Sequence, residues 1–112
     1  MMESRLIYES NKIYIDKIIW NIFRNDSEWI FLGIDKETDE KKLQKIINEN
    51  FHEESLYFVT TRNDSVQISK KDISKKIAEN FRNIDIFIWN ESFKKAIEFN
   101  KNEVFRIGNR FL

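Results

Sequence analysis

The chain has 112 residues, 41 % of them hydrophobic and 14 % aromatic, enough apolar surface for one core and too little length for a second. It contains no cysteine, which excludes a disulfide framework, a thiolate metal site and a cysteine nucleophile. Nineteen basic side chains balance nineteen acidic ones, so the strongly basic balance typical of a nucleic-acid-coating protein is missing.

That neutral total hides an uneven spread. Residues 1–25 carry a formal charge of +1, residues 26–54 carry −5 and residues 62–112 carry +4. Residues 1–8 lack the apolar run and small-residue cleavage site of a secretory signal, and no stretch reaches about 18 apolar residues. The expectation is therefore a cytoplasmic protein whose residues 1–112 form one globular domain.

In chain order, Ile15, Ile18, Ile19, Ile22 and Phe23 fall at helical spacing and predict a helix over about 11–24, with Ser10 as its N-cap. Trp20 lies beside that stripe, and Ile13 allows a strand in place of the first turn. Residues 29–34 (Trp-Ile-Phe-Leu-Gly-Ile) are short and almost wholly apolar, as expected of a central strand covered on both faces. Residues 39–48 place Leu43, Ile46 and Ile47 on one face of a second helix, capped by Thr38, with Asp39 and Glu40 at its positive end.

Residues 56–61 read as a strand, 62–65 as a turn and 66–68 as a further strand, making a hairpin. Ser69 and Asp72 have the spacing of a capping box opening a helix with Ile73, Ile77 and Phe81 aligned, and Asn83 is placed to end it in the left-handed conformation. Residues 84–89 alternate as a strand inside the sheet. A terminal hairpin turns at 100–103 and directs Ile97, Phe99, Phe105 and Ile107 to the core, a helix over 91–99 being the rival reading. The order α-β-α-β-β-α-β-β-β predicts an α+β or α/β fold: a mixed sheet of five to six strands with three helices packed on it.

The residue inventory is poor in chemistry. His52 is the single histidine and sits in a polar loop beside Glu53 and Glu54, without a nucleophile elbow elsewhere. The carboxylates Asp35, Glu37, Asp39 and Glu40 lack calcium-loop spacing, and two isolated glycines build neither a P-loop nor a dinucleotide fingerprint. No catalytic, metal or cofactor residue is assigned, and no enzymatic activity is expected.

Surface chemistry is what is left. Lys70, Lys71, Lys75 and Lys76, on the helix near residues 70–82, together with Lys94, Lys95, Lys101, Arg106 and Arg110, could contact phosphates in a nucleic-acid-associated protein. The acidic stretch 26–54 could instead steer a basic protein into contact. Trp29 and Trp89 lie at strand ends beside Glu28 and Glu91, and aromatic residues dominate binding hot spots.

Residues 84–93 (Ile-Asp-Ile-Phe-Ile-Trp-Asn-Glu-Ser-Phe), followed by 97–100 and 104–108, resemble the ending of small bacterial immunity-type proteins found beside secreted polymorphic toxins. The resemblance implies a cytoplasmic binder that occludes a toxin's active site through acidic and aromatic surface residues. On the residues themselves, the expected contact set is Glu28, Trp29, Asp35, Glu37, Asp39, Glu40, Trp89, Glu91 and Phe93, facing a basic protein partner. The nucleic-acid accessory role is the alternative, and an enzyme with a carboxylate site assembled from distant residues is a third.

Overall fold

The computed structural model describes residues 3–23, 26–32 and 39–110. It is an α+β protein: the described residues form three helices and one seven-stranded sheet, in which every strand pairing is antiparallel. The helices are α1 (Ser4–Tyr14), α2 (Asp39–Asn50) and α3 (Lys70–Asn80). The strands are β1 (Ile18–Trp20), β2 (Ile30–Phe31), β3 (Ser55–Val59), β4 (Val66–Ser69), β5 (Ile86–Trp89), β6 (Lys95–Asn100) and β7 (Val104–Arg110).

The sheet runs β1-β7-β6-β5-β3-β4, with β2 beside β1 on the same outer flank of β7. Because side chains alternate along a strand, this sheet feeds two cores. Leu56, Phe58, Ile86, Ile88, Ile97, Phe99, Phe105 and Ile107 point to one face, where Leu43, Ile46 and Ile47 of α2 and Ile73 and Ile77 of α3 cover them. Tyr57, Val59, Trp89 and Ala96 point to the other face and pack with Ile7 of α1, Ile18 and Phe93.

The terminal hairpin, α2, α3 and the β3–β4 hairpin occur where the sequence pattern predicts them, and the rival helix over 91–99 does not form. Among the described residues the sheet has seven strands where five to six are expected, and β1 is the strand that no predicted segment supplies. The helix expected over 11–24 ends at Tyr14, followed by one 3-10 turn (Ile15–Lys17). It begins at Ser4 instead, because Ile7, Asn11 and Tyr14 supply an inward stripe one turn earlier. The β-branched residues after it extend along the open edge of β7, pairing Ile18 with Arg110 and Trp20 with Gly108. Ser10 is thus inside α1 and donates to the Leu6 carbonyl at 2.7 Å, rather than capping it.

Three smaller expectations also change. Of the predicted central strand over 29–34, Ile30 and Phe31 form β2 at the sheet's edge, where Phe31 is 69 % exposed, Trp29 and Leu32 are not in a strand, and residues 33 and 34 lie outside the described residues. Ser69 is the N-cap of α3, but its hydroxyl donates to the Asp72 carboxylate at 2.6 Å and caps no backbone amide. Asn83 is not left-handed; its amide and that of Ile84 both donate to the Asn80 carbonyl, so a tight turn closes the helix. Thr38 lies outside the described residues.

α1 is fastened to the sheet by one buried polar contact: the Trp89 indole N–H donates to Asn11 Oδ1 at 2.7 Å. Both residues are buried, so neither group has water to fall back on. Asn11→Leu is expected to cost about 1–3 kcal/mol by orphaning that donor. A urea titration should show a lower midpoint at an unchanged slope; an unshifted midpoint would mean that another acceptor serves Trp89.

Candidate functional site

The site grows out of the β6–β7 hairpin. With Ile97, Phe99, Phe105 and Ile107 committed to the α2–α3 side, the alternate residues Glu98 and Arg106 emerge directly opposite each other on the other face. The registers extend this into rows across the sheet. One row holds Phe87, Glu98 and Arg106, and its neighbour holds Asn100, Val104 and Phe31. Asp85, two residues before Phe87, belongs to the second row and accepts a bond from the Lys101 amide at 2.9 Å.

Between β1 and β2 the chain leaves the edge of β7 and returns. Asn21 still donates to the Ile107 carbonyl, Phe23 donates to the Ser27 carbonyl, and Asp26 takes a positive φ of 57° to make the bend. This excursion brings Glu28 and Trp29 back over Arg106. The guanidinium ends up sandwiched, with its carbon 3.9 Å from the Trp20 ring centroid and 4.5 Å from that of Trp29. Its Nε and Nη2 donate to Glu98 Oε1 at 2.8 and 2.7 Å, and its Nη1 bonds Glu28.

Glu98 is the unusual member of this group. Its side chain is only 9 % exposed, and burial pushes its carboxyl above the ordinary value of 4.5. The hydrogen bond and charge of Arg106 pull the other way without prevailing, while Asp85 and Glu28 add repulsion. A carboxyl raised in the folded state contributes stability that is complete below its unfolded pKa and is lost as pH rises through the folded pKa. Relative to Glu98→Gln, the wild-type protein should therefore lose urea resistance as pH climbs from about the ordinary glutamate range upward, then level off. Parallel stability curves for the two proteins would remove Glu98 as the cause.

Of the residues expected to form a contact set, Glu28 and Trp29 meet here. Trp89 and Phe93 do not: both are buried in the second core, so neither is a surface anchor. Phe93 turns the chain between β5 and β6 at a φ of 55°, and its ring packs on Tyr57, Trp89 and Tyr14 at centroid distances of 4.9, 5.4 and 5.5 Å. That ring burial offsets the left-handed backbone. Glu91 is exposed on the same turn, where its charge adds to the burial that raises the Tyr57 hydroxyl. Glu40 is exposed on α2, on the opposite side of the sheet from Arg106. Asp35, Glu37 and the side chain of Asp39 lie outside the described residues.

The lysine series on α3 is not one solvent-facing row either. Lys70 Nζ donates to the Phe51 carbonyl at 3.2 Å, and Lys76 lies over the Phe58 ring at 5.0 Å, leaving Lys71 and Lys75 exposed. Among the described residues, no group of three or more histidine, aspartate or glutamate side chains is arranged to hold a metal ion. No helix among them is long and apolar enough to cross a membrane.

No family model, curated protein or solved structure matches the chain. The site must be read from its own chemistry. Glu98 and Trp20 are the members sequence reasoning missed, and Arg106 entered it only as a possible phosphate contact. The hairpin itself carried the signal, since residues 98 and 106 are equidistant from its tip and share the face left over by the core residues. An open cavity of about 410 Å³ lined by Trp29, Asn100, Asn102 and Val104 adjoins them.

Proposed function

We propose that this protein is a non-enzymatic protein-binding module of the immunity or antitoxin kind, which occludes a basic partner protein in the cytoplasm. The observation that carries this reading is the exposed apolar fringe beside the end of the sheet face that α1 does not reach. α1 covers the end bearing Tyr57, Trp89 and Ala96, and Phe87 packs against that core; toward β2 the face narrows to the buried Glu98, to Arg106 between its two tryptophans, and to the half-buried Asn100 and Val104. Beside it lie Ile22, Phe23 and Phe31 of the β1–β2 edge, all exposed, with Ile19 exposed on the opposite face of that edge. Every large apolar side chain that is exposed among the described residues falls within residues 6–31. Exposed apolar groups gathered with half-exposed tryptophans and fixed charges are the surface of a protein interface, with anchors to desolvate and charges to orient a partner.

A rigid patch suits inhibition. The Arg106 contacts hold Trp20, Trp29 and Glu28 in place before any partner arrives, which limits the ordering entropy lost on association. The nucleic-acid reading has no comparable support, since two of the four α3 lysines are engaged within the molecule.

The test is co-expression with the product of the neighbouring reading frame. A stoichiometric complex and protection of growth are expected, both weakened by Phe31→Asp, which alters an exposed side chain and leaves the core intact. If the neighbour neither binds nor is neutralised, the immunity reading is wrong.

A further inference from the structure

The half-buried end of this face also has a charge pattern that specifies what fits it. Two carboxylates, Glu98 and Glu28, hold the guanidinium of Arg106, and a third, Asp85, lies close enough to Glu98 to repel its charge. Arg106 serves two of them, and the third is held by a backbone amide alone, because Lys101 approaches Asp85 through its main chain. Apolar groups stand on either side of this negative surplus: Phe87 on β5, and Val104, Trp29 and Phe31 toward β2.

We propose that the half-face seats a lysine or arginine side chain projecting from an apolar segment of the partner protein, its charge above Asp85 and Glu98 and its apolar flanks on Phe87 and on Trp29 with Phe31. This rests on the binding-module reading and names the chemistry of the occupant. Complementary charge is the reason for the choice. A cation entering here neutralises the surplus and relieves the repulsion among the carboxylates, whereas a phosphate or an acidic peptide adds to it. The cavity beside Trp29 gives the apolar flank a place to be buried. Arg106 keeps its own partners throughout, because the incoming group is drawn by the excess negative charge and displaces neither glutamate.

The test uses the full chain, isotope-labelled, with three blocked pentapeptides that differ only at a leucine-flanked central residue: arginine, norleucine or glutamate. The arginine peptide is expected to shift the Trp29 indole signal and the Phe87 and Glu98 amides, with affinity falling as salt is added. Norleucine should bind about tenfold more weakly and glutamate not at all, a tenfold change being about 1.4 kcal/mol. Asp85→Asn, outside the Arg106 contacts, should weaken the arginine peptide severalfold, and Glu98→Gln provides an independent second variant. Equal binding of arginine and norleucine peptides would overturn the proposal, as would shifts centred on α3 or on self-association of the protein.

Failure here is distinct from failure of the broader reading. A neighbouring gene product that binds with the same affinity to wild type and to Asp85→Asn leaves the binding module standing and removes this assignment of its occupant. Arginine-selective binding with no complex formed by that neighbour does the reverse.

Discussion

Arg106→Met is expected to destabilise the protein by about 3 kcal/mol at neutral pH, the lower end of the range for breaking one partner of a buried ion pair. Methionine keeps most of the aliphatic volume between Trp20 and Trp29, so the loss comes from what Arg106 leaves behind. Glu98 would hold a charge on a side chain 9 % exposed, with Glu28 and Asp85 still repelling it. Its remedy is protonation. With the lowering influence of Arg106 gone, its carboxyl rises further, and the penalty should shrink as the solution is acidified through that range. Urea titrations of wild type and variant at neutral and acidic pH read this directly. The double variant Arg106→Met with Glu98→Gln should recover much of the neutral-pH loss, since no buried charge is left unpaired. A penalty independent of pH and untouched by Glu98→Gln would mean that packing, not the ion pair, makes Arg106 important.

The parts of this fold that could be read in the sequence are those where one segment's pattern matches its own burial. Ile97, Phe99, Phe105 and Ile107 alternate on two strands that pair with each other, so the local period and the tertiary answer coincide. The same holds for Ile73, Ile77 and Phe81 on α3, all buried. Residues 15–23 were misleading for a physical reason. Five apolar residues at helical spacing are also β-branched or aromatic residues able to line a strand edge, and only the open flank of β7 decides between the two. Residue 19 on the edge strand and residue 22 just beyond it are exposed, which no helical pattern anticipates.

The candidate site was half legible. Glu28 and Trp29 were singled out by type, but charge and aromaticity say nothing of depth, and Trp89 and Phe93 share those types while lying in the core. Arg106 needs residues 20, 28, 29 and 98 to acquire its surroundings. Those positions converge only after β1 and β2 have docked on β7, a contact that no local window contains.

That docking depends on the absence of one side chain. Gly108→Ala is expected to detach or displace β1 and to cost about 1–3 kcal/mol, the usual penalty for overpacking. At a strand position that any residue can adopt, replacing glycine ordinarily stabilises by about 0.4–1 kcal/mol through the unfolded chain, so space decides the sign. A Cβ at residue 108 would lie 2.5 Å from Ile18 Cγ2, 2.7 Å from the Ile19 carbonyl oxygen and 2.9 Å from Trp20 Cε3. Ile18 can rotate away, but the Ile19 carbonyl is backbone and can yield only by moving the strand. Displacing β1 lifts Trp20 off Arg106, while β6 and β7, paired over six positions, keep the core side of the sheet intact. The damage should therefore be local: faster hydrogen exchange at Asn21, whose amide bonds the Ile107 carbonyl, with little change at Ile97 or Phe99. If the variant matches wild-type stability and keeps Asn21 protected, β1 tolerates the added methyl group, and the close contact at Gly108 is not what positions Trp20.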